Sequence, residues 1–308
     1  MELSDLTIVV CCNKKDFFLA KICIASIRYY YPDIAIELVK DPGNGNFNSH
    51  KLEKYFKVKV VDFGLPKLGW SGAKFHYLYQ GPIGKKILIL DADIVFIGPF
   101  LERLLPQVSK NDYVISIEEN DISNKEWVRN TYFDLDAIQT AYPSYQYPGF
   151  FFNAGQVFLT LGAIDKQVIK EFFNPVEYPF WQKSRLFPLV DQSVYNYLLP
   201  TLAKEQQIKL GKEKFMVWAG SEQFLDMDFK NVMDKKNEQG LVHWAGCLRF
   251  AFVSQMIRGD ILSFFENYYL SQIKDVKIPY MIYKIVPAFK YYLKQFYYKL
   301  KPKRWLKG

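Results

Sequence analysis

Ile87-Leu88-Ile89-Leu90-Asp91-Ala92-Asp93-Ile94-Val95-Phe96 is the stretch on which the reading turns. Lys86 to Leu90 is almost wholly Ile and Leu, the mark of a strand buried on both faces, and such strands belong to parallel sheets covered by helices. Residues two apart in extended chain share a side, so Asp91 and Asp93 are expected to point together from the strand's end, with small Ala92 between them. Adjacent carboxylates among apolar neighbours repel and are poorly solvated, and a buried, uncompensated charge costs on the order of several kcal/mol. A divalent cation removes that cost, and carboxylate oxygens suit Mg²⁺ or Mn²⁺. The plainer alternative is a solvated turn in which both Asp are turn or cap residues, and a lone Asp-x-Asp does not separate the two.

Working outward, short apolar runs alternate with helical patterns. Leu6 to Cys12 reads as a buried strand, and Phe17 to Tyr30 as a helix ended by Tyr31-Pro32-Asp33. Ala35 to Val39 and Val58 to Phe63 are expected strands, and Ala73 to Tyr79 a short helix. Beyond Asp93, Asn120 to Pro148 is polar, Tyr-rich and weakly periodic, an expected excursion over a site. Phe151 to Leu161 reads as a strand, Ile164 to Phe173 as helical, Asp191 to Leu199 as a helix start and Leu241 to Trp244 as a short strand. The pattern implies an α/β fold, an open and mostly parallel sheet flanked by helices. Ligands of such sheets bind outside the carboxyl ends of the strands.

Composition limits the function classes. The 308 residues are 50% hydrophobic and 18% aromatic, enough for a sizeable core. The formal charge of +8 is unevenly placed: Val276 to Gly308 holds nine of the 40 basic residues and no Asp or Glu, leaving 31 basic against 32 acidic residues elsewhere. A neutral body with a basic tail speaks against a nucleic-acid binder, whose basic residues spread over the folded face. Cys11, Cys12, Cys23 and Cys247 form no C-x-x-C pair, and reduced cysteines of a cytosolic protein are expected. The acidic start Met1-Glu2-Leu3-Ser4-Asp5 does not read as a signal peptide, so none is expected, and no apolar run reaches the roughly 18 residues of a membrane span.

Three functional classes fit the Asp pair. One is a metal-dependent transferase. The second is a haloacid-dehalogenase-like phosphatase with Asp91 as nucleophile, a motif that normally lies on its fold's first strand, whereas about three expected strands precede this one. The third is a non-catalytic, membrane-associated binding protein in which the pair holds a structural cation.

Segments on both sides of the pair favour the first. From about Thr7 to Arg249 the chain resembles glycosyltransferase family 8, the glycogenin and bacterial lipopolysaccharide galactosyltransferase group. The resemblance implies the GT-A nucleotide-sugar-binding fold, and retaining hexose transfer from a UDP-linked donor with Mn²⁺. Cys11-Cys12-Asn13-Lys14 stands where the family's nucleoside pocket begins, which brings in Asn13. Ala73-Lys74-Phe75-His76-Tyr77 is similar to its Lys-bearing helix, implying that Lys74 contacts donor phosphate or ribose. Asp91-Ala92-Asp93 has the form of its metal motif. Phe152-Asn153-Ala154-Gly155 resembles a segment in which Asn153 and Ala154 meet the sugar. Val190-Asp191-Gln192-Ser193 resembles its Asp-Gln, with Asp191 on sugar hydroxyls and Gln192 by the anomeric carbon. Asp191 alternatively reads as a helix N-cap. Val242-His243-Trp244-Ala245-Gly246-Cys247-Leu248-Arg249 is similar to its His-x-x-Gly-x-x-Lys element, implying His243 as third metal ligand, Gly246 and Arg249 at the donor, with Arg in place of Lys. An amide at Gln192 is a poor nucleophile, so same-face attack is expected over a covalent intermediate.

The tail is expected to be helical, giving a transferase domain over 1–265 and a basic aromatic tail over 266–308. Phe289, Tyr292, Leu293, Phe296 and Leu300 fall on one helical face, with Lys290, Lys294 and Lys301 on another. A basic helix rich in aromatics reads as an interfacial anchor on anionic lipid, where each nearby Lys or Arg contributes about 1 kcal/mol. The alternative is a helix packed on the domain with a solvated lysine face. The expected partners are therefore a nucleotide-sugar donor, a glycan or glycolipid acceptor of lipopolysaccharide or surface-polysaccharide type, and the inner face of the cell membrane.

Overall fold

A computed structural model describes residues 1–64, 68, 71–118, 122–237, 240–250 and 252–274. The first half runs β1 (Leu6–Asn13), α1 (Phe17–Tyr30), β2 (Ala35–Asp41), α2 (His50–Phe56), β3 (Val58–Val61), α3 (Gly72–Gln80), β4 (Lys86–Asp91), β5 (Ile94–Phe96), α4 (Leu101–Lys110) and β6 (Tyr113–Glu118). The second runs α5 (Lys125–Thr131), α6 (Leu135–Ala141), β7 (Phe151–Thr160), α7 (Lys166–Lys170), α8 (Asp191–Lys204), β8 (Leu210–Glu213), β9 (Met216–Trp218), α9 (Glu222–Leu225), α10 (Phe229–Met233), β10 (Leu241–His243) and α11 (Gly259–Gln272).

Seven strands form the main sheet in the order β3-β2-β1-β4-β7-β6-β8. All neighbours are parallel except β7, which is antiparallel to both β4 and β6. This is the mostly parallel α/β sheet expected. The reversal at β7 matters for the site, because it sets the beginning of β7 beside the end of β4. A smaller sheet, β5-β10-β9, starts directly after Asp93.

The Ile/Leu alternation of β1 and β4 explains the two cores. Ile8, Val10, Leu88 and Leu90 face one side with α1, α4 and α11, while Val9, Ile87 and Ile89 face the other with α3 and α8. Both faces are dry, as the unbroken apolar strands require.

Several boundaries differ from the sequence reading. Asp91 ends β4, but Ala92 and Asp93 form a turn rather than extended chain, so the carboxylates converge through a bend between two sheets. The excursion from 120 to 148 contains α5 and α6, which bury only Val128 and Ile138 and so carry little periodicity. The helix expected over Ile164 to Phe173 shortens to α7, capped by the Asp165 side chain at Gln167 N–H. Helix α11 crosses the expected 265/266 boundary with Phe265 and Tyr269 both buried. The amphipathic tail segment, 288–300, lies outside the described residues. Among the described residues no helix is long and apolar enough to cross a membrane, and the four cysteines are free thiols.

Candidate active site

The carboxyl ends of β1, β2 and β4, the start of β7 and the end of β10 enclose an open cleft of ≈ 380 Å³, within the roughly 300–1,000 Å³ of small-molecule sites. Asn13, Asp16 and Asp41 line it on the β2 side. Lys74, Asp91, Ala92 and Asp93 line its middle, and Asn153, Asp191, Gln192, His243, Gly246 and Arg249 line the remainder. Every candidate site residue of the sequence lines this cleft save Ala154, whose carbonyl and N–H bond to Lys74 and Gln192 of the lining.

Asp91, Asp93 and His243 each offer one ligand atom, and these atoms lie within 4.8 Å of one another. His243 Nε2 is 3.1 Å from Asp93 Oδ1 and 3.9 Å from Asp91 Oδ2. Two carboxylates and an imidazole form a donor set that could hold a divalent metal ion. The placement follows from strand pairing: β10 lies antiparallel to β5 with His243 opposite Ile94, and Trp244 N–H donates to the Asp93 carbonyl at 3.0 Å.

The charges around the trio act on one another at short range. Desolvation at the cleft floor pushes Asp91 up to about 6 against the pull of Lys74. Asp93 also suffers burial, yet His243 and Arg249 hold it well below the usual carboxylate range. Burial lowers the His243 imidazolium, but Asp93 and then Asp91 outweigh it and the net shift is upward.

Lys74 is fully buried. Its Nζ lies 2.8 Å from Asp91 Oδ1, 2.8 Å from Asp191 Oδ2 and 3.0 Å from the Ala154 carbonyl. The sequence reading set this ammonium against donor phosphate or ribose; here its three protons are taken by two carboxylates and a carbonyl. Burial alone would depress it, and the two aspartates raise it above the ordinary lysine value. Asp191 is the first residue of α8 and not its cap, which is Val190. Val190 holds φ +42°, a conformation costly for a β-branched residue, and the α8 start it shapes carries Asp191 against Lys74.

Gln192 donates from Nε2 to the Phe152 carbonyl and accepts at Oε1 from Ala154 N–H, so its amide is pinned along β7. Asn153 Oδ1 accepts from Gly155 N–H and meets His243 Nδ1, both at 2.8 Å. Asn13 turns inward on its own loop, donating to Asp16 and accepting from Lys15 N–H. Arg249 Nη2 pairs with Asp93 Oδ2 at 2.5 Å, and Nη1 donates to the Trp244 carbonyl. Gly155 is a steric necessity: a Cβ there would lie 2.5 Å from His243 Cε1 and 2.9 Å from Asp91 Oδ2.

Sequence reasoning missed Trp218 of β9, whose ring stacks on His243 at 5.4 Å and 13°. It also missed Asp16 and Asp41 on the cleft wall. Nothing in the three-residue Met216-Val217-Trp218 strand signals a partner 25 positions later.

No protein-family model matches the sequence, and no curated protein matches it. Solved structures share the fold. WbbM, a bifunctional glycosyltransferase in its apo form, aligns with 93% of this chain at 13% identity and a TM-score of 0.57; the alignment spans 52% of the WbbM chain, about half its length. The galactosyltransferase LgtC, in complex with donor and acceptor sugar analogues, aligns over 88% of this chain and 97% of its own at 14% identity and a TM-score of 0.53. The architecture is thus the GT-A fold of these glycosyltransferases.

Proposed function

We propose that this protein is a metal-dependent glycosyltransferase that moves a hexose from a nucleotide-sugar donor, of UDP type, to a glycan or lipid-linked acceptor with retention at the anomeric carbon. One observation carries the reading: Asp91, Asp93 and His243 converge from two sheets onto the floor of a cleft, in a fold shared with sugar-transferring proteins.

Asp91, Asp93 and His243 would hold Mn²⁺ or Mg²⁺. Bound there, the ion supplies Lewis-acid stabilisation of charge on a leaving nucleoside diphosphate. Arg249, fixed beside Asp93, adds a planar cation suited to phosphate oxygens. The Asn13 side of the cleft would take the nucleoside, and Gly246 the diphosphate turn. Asp191 and Gln192 would bound the sugar pocket, with Lys74 holding Asp191 in place.

Retention needs either a nucleophile on the sugar's reactive face or same-face attack. Gln192 presents an amide pinned at both ends, and Asp191 is ion-paired. Neither is an activated nucleophile, which favours same-face attack: the bond from the anomeric carbon to phosphate oxygen breaks, the acceptor oxygen bonds to that carbon, and its proton passes to the leaving phosphate. The phosphatase alternative is weakened because Asp91 ends the fourth strand and one of its oxygens is held by Lys74.

The basic aromatic tail would keep the enzyme peripheral on the inner face of the cell membrane, near a lipopolysaccharide-type or other lipid-linked acceptor. The deciding experiment screens nucleotide sugars with and without Mn²⁺ and monitors nucleoside diphosphate release. Mn²⁺-dependent release from a UDP-sugar is expected; hydrolysis of phosphate monoesters with a trapped aspartyl-phosphate would overturn the reading.

A further inference from the structure

We infer that Asn153 is a positioning residue for His243: its amide oxygen fixes the imidazole proton on Nδ1 and presents Nε2 as an electron-pair donor toward Asp91 and Asp93. This rests on the reading of that trio as a cation site, and it moves Asn153 from the sugar-binding role expected of it.

Gly155 N–H can only donate, so the Asn153 atom 2.8 Å from it is the carbonyl oxygen and not the amide nitrogen. That oxygen carries no hydrogen, so His243 Nδ1, also 2.8 Å away, must supply one. In a neutral ring the proton is then used, and Nε2 is bare. Nε2 faces Asp93 Oδ1 at 3.1 Å and Asp91 Oδ2 at 3.9 Å, so the bare nitrogen of the neutral ring and two carboxylate oxygens border one gap, which a cation can fill, or a proton on Nε2 when the ring is charged.

The ring is also held against rotation. Trp218 stacks on one face, and Gly155 allows backbone so close to Cε1 that any side chain would collide. Histidine ligands of metals commonly donate their second nitrogen to an acceptor that fixes tautomer and orientation, and losing that acceptor costs about 10–100-fold in affinity.

The test uses the full chain labelled with ¹⁵N-histidine. Only His50, His76 and His243 contribute signals. At alkaline pH without metal, His243 is expected as the Nδ1–H tautomer, and Asn153→Ala should abolish that preference. Titration with Mn²⁺, followed by electron paramagnetic resonance, should show affinity about 10–100-fold weaker for Asn153→Ala. Asn153→Asp, which keeps an acceptor for both donors, should restore binding. An Nε2–H tautomer in the wild type, or Asn153→Ala binding Mn²⁺ within about twofold of it, overturns the inference. Absence of Mn²⁺ binding by the wild type would sink the cation reading instead, and the tautomer measurement would still decide the role of Asn153.

Discussion

Lys74 and Asp191, 117 positions apart, meet at 2.8 Å with side-chain exposures of 0% and 7%. The same ammonium reaches Asp91, so one buried cation balances two carboxylates from different elements. Removing one member of such a group leaves uncompensated charge, at a cost of about 3–5 kcal/mol. Lys74→Met should therefore lower the thermal midpoint by on the order of 10 °C. A melting curve within about 2 °C of wild type would show the network to be dispensable.

Asp93 is shared between His243 and Arg249, and the two substitutions should separate. Asp93→Asn is expected to abolish Mn²⁺ binding and nucleoside diphosphate release together. Arg249→Ala removes a cation that competes for Asp93 Oδ2, so Mn²⁺ affinity without donor should hold or rise. Release should nevertheless fall by about 10²–10³-fold, the loss typical of one charge-stabilising group. Calorimetric titration beside a release assay reads both.

The raised Asp91 fixes the direction of the pH dependence. Its carboxyl moves from 3.8 to about 6 in the fold, so the folded protein holds a proton there that the unfolded chain releases. In the metal-free protein this group's contribution to stability is present below pH 3.8 and is lost as pH rises through about 6. A cation must displace the proton, so Mn²⁺ affinity should rise with pH across that window and then level off. His243, also raised, steepens the rise. Affinity that is flat between pH 5 and 7 would contradict this.

Gly155→Ala probes the crowding at the trio. The added methyl would meet His243, Asn153 and Asp91 at 2.5–2.9 Å, overpacking of a kind that costs about 1–3 kcal/mol. The variant should fold, as judged by circular dichroism, yet bind Mn²⁺ far more weakly. Unchanged binding would mean that the imidazole moves aside without penalty.

Deletion from Val276 onward should remove binding to vesicles containing anionic lipid and leave donor hydrolysis intact. Sedimentation with vesicles at low and high salt reads the first and diphosphate release the second. Equal vesicle binding by the truncated chain would refute tail anchoring.

Much of the sheet was legible because burial on both faces writes itself as Ile/Leu/Val runs; β1, α1 and β4 stand within a residue of their expected limits. Helix α4 escaped notice, although amphipathic, with Pro106 inside it. Helices α5 and α6 each bury one apolar side chain and leave no period to read. At the site, the residue types were legible but several contacts were not. Whether Asn153 turns to a ligand or to His243, and whether Lys74 lies at the surface or fully buried, depends on partners 80 to 117 positions away. The reversed direction of β7, which creates those proximities, has no local signature.

The pairing of β5 with β10 acts as a ruler for the metal trio. Side chains alternate across a strand, so a slip of one residue would turn His243 away and present Val242 or Trp244 in its stead. No intermediate register offers two good ligands and a poor third. Cation uptake should thus report, in yes-or-no fashion, whether the last strand of the small sheet has docked, and a half-finished chain would leave the ion in solution.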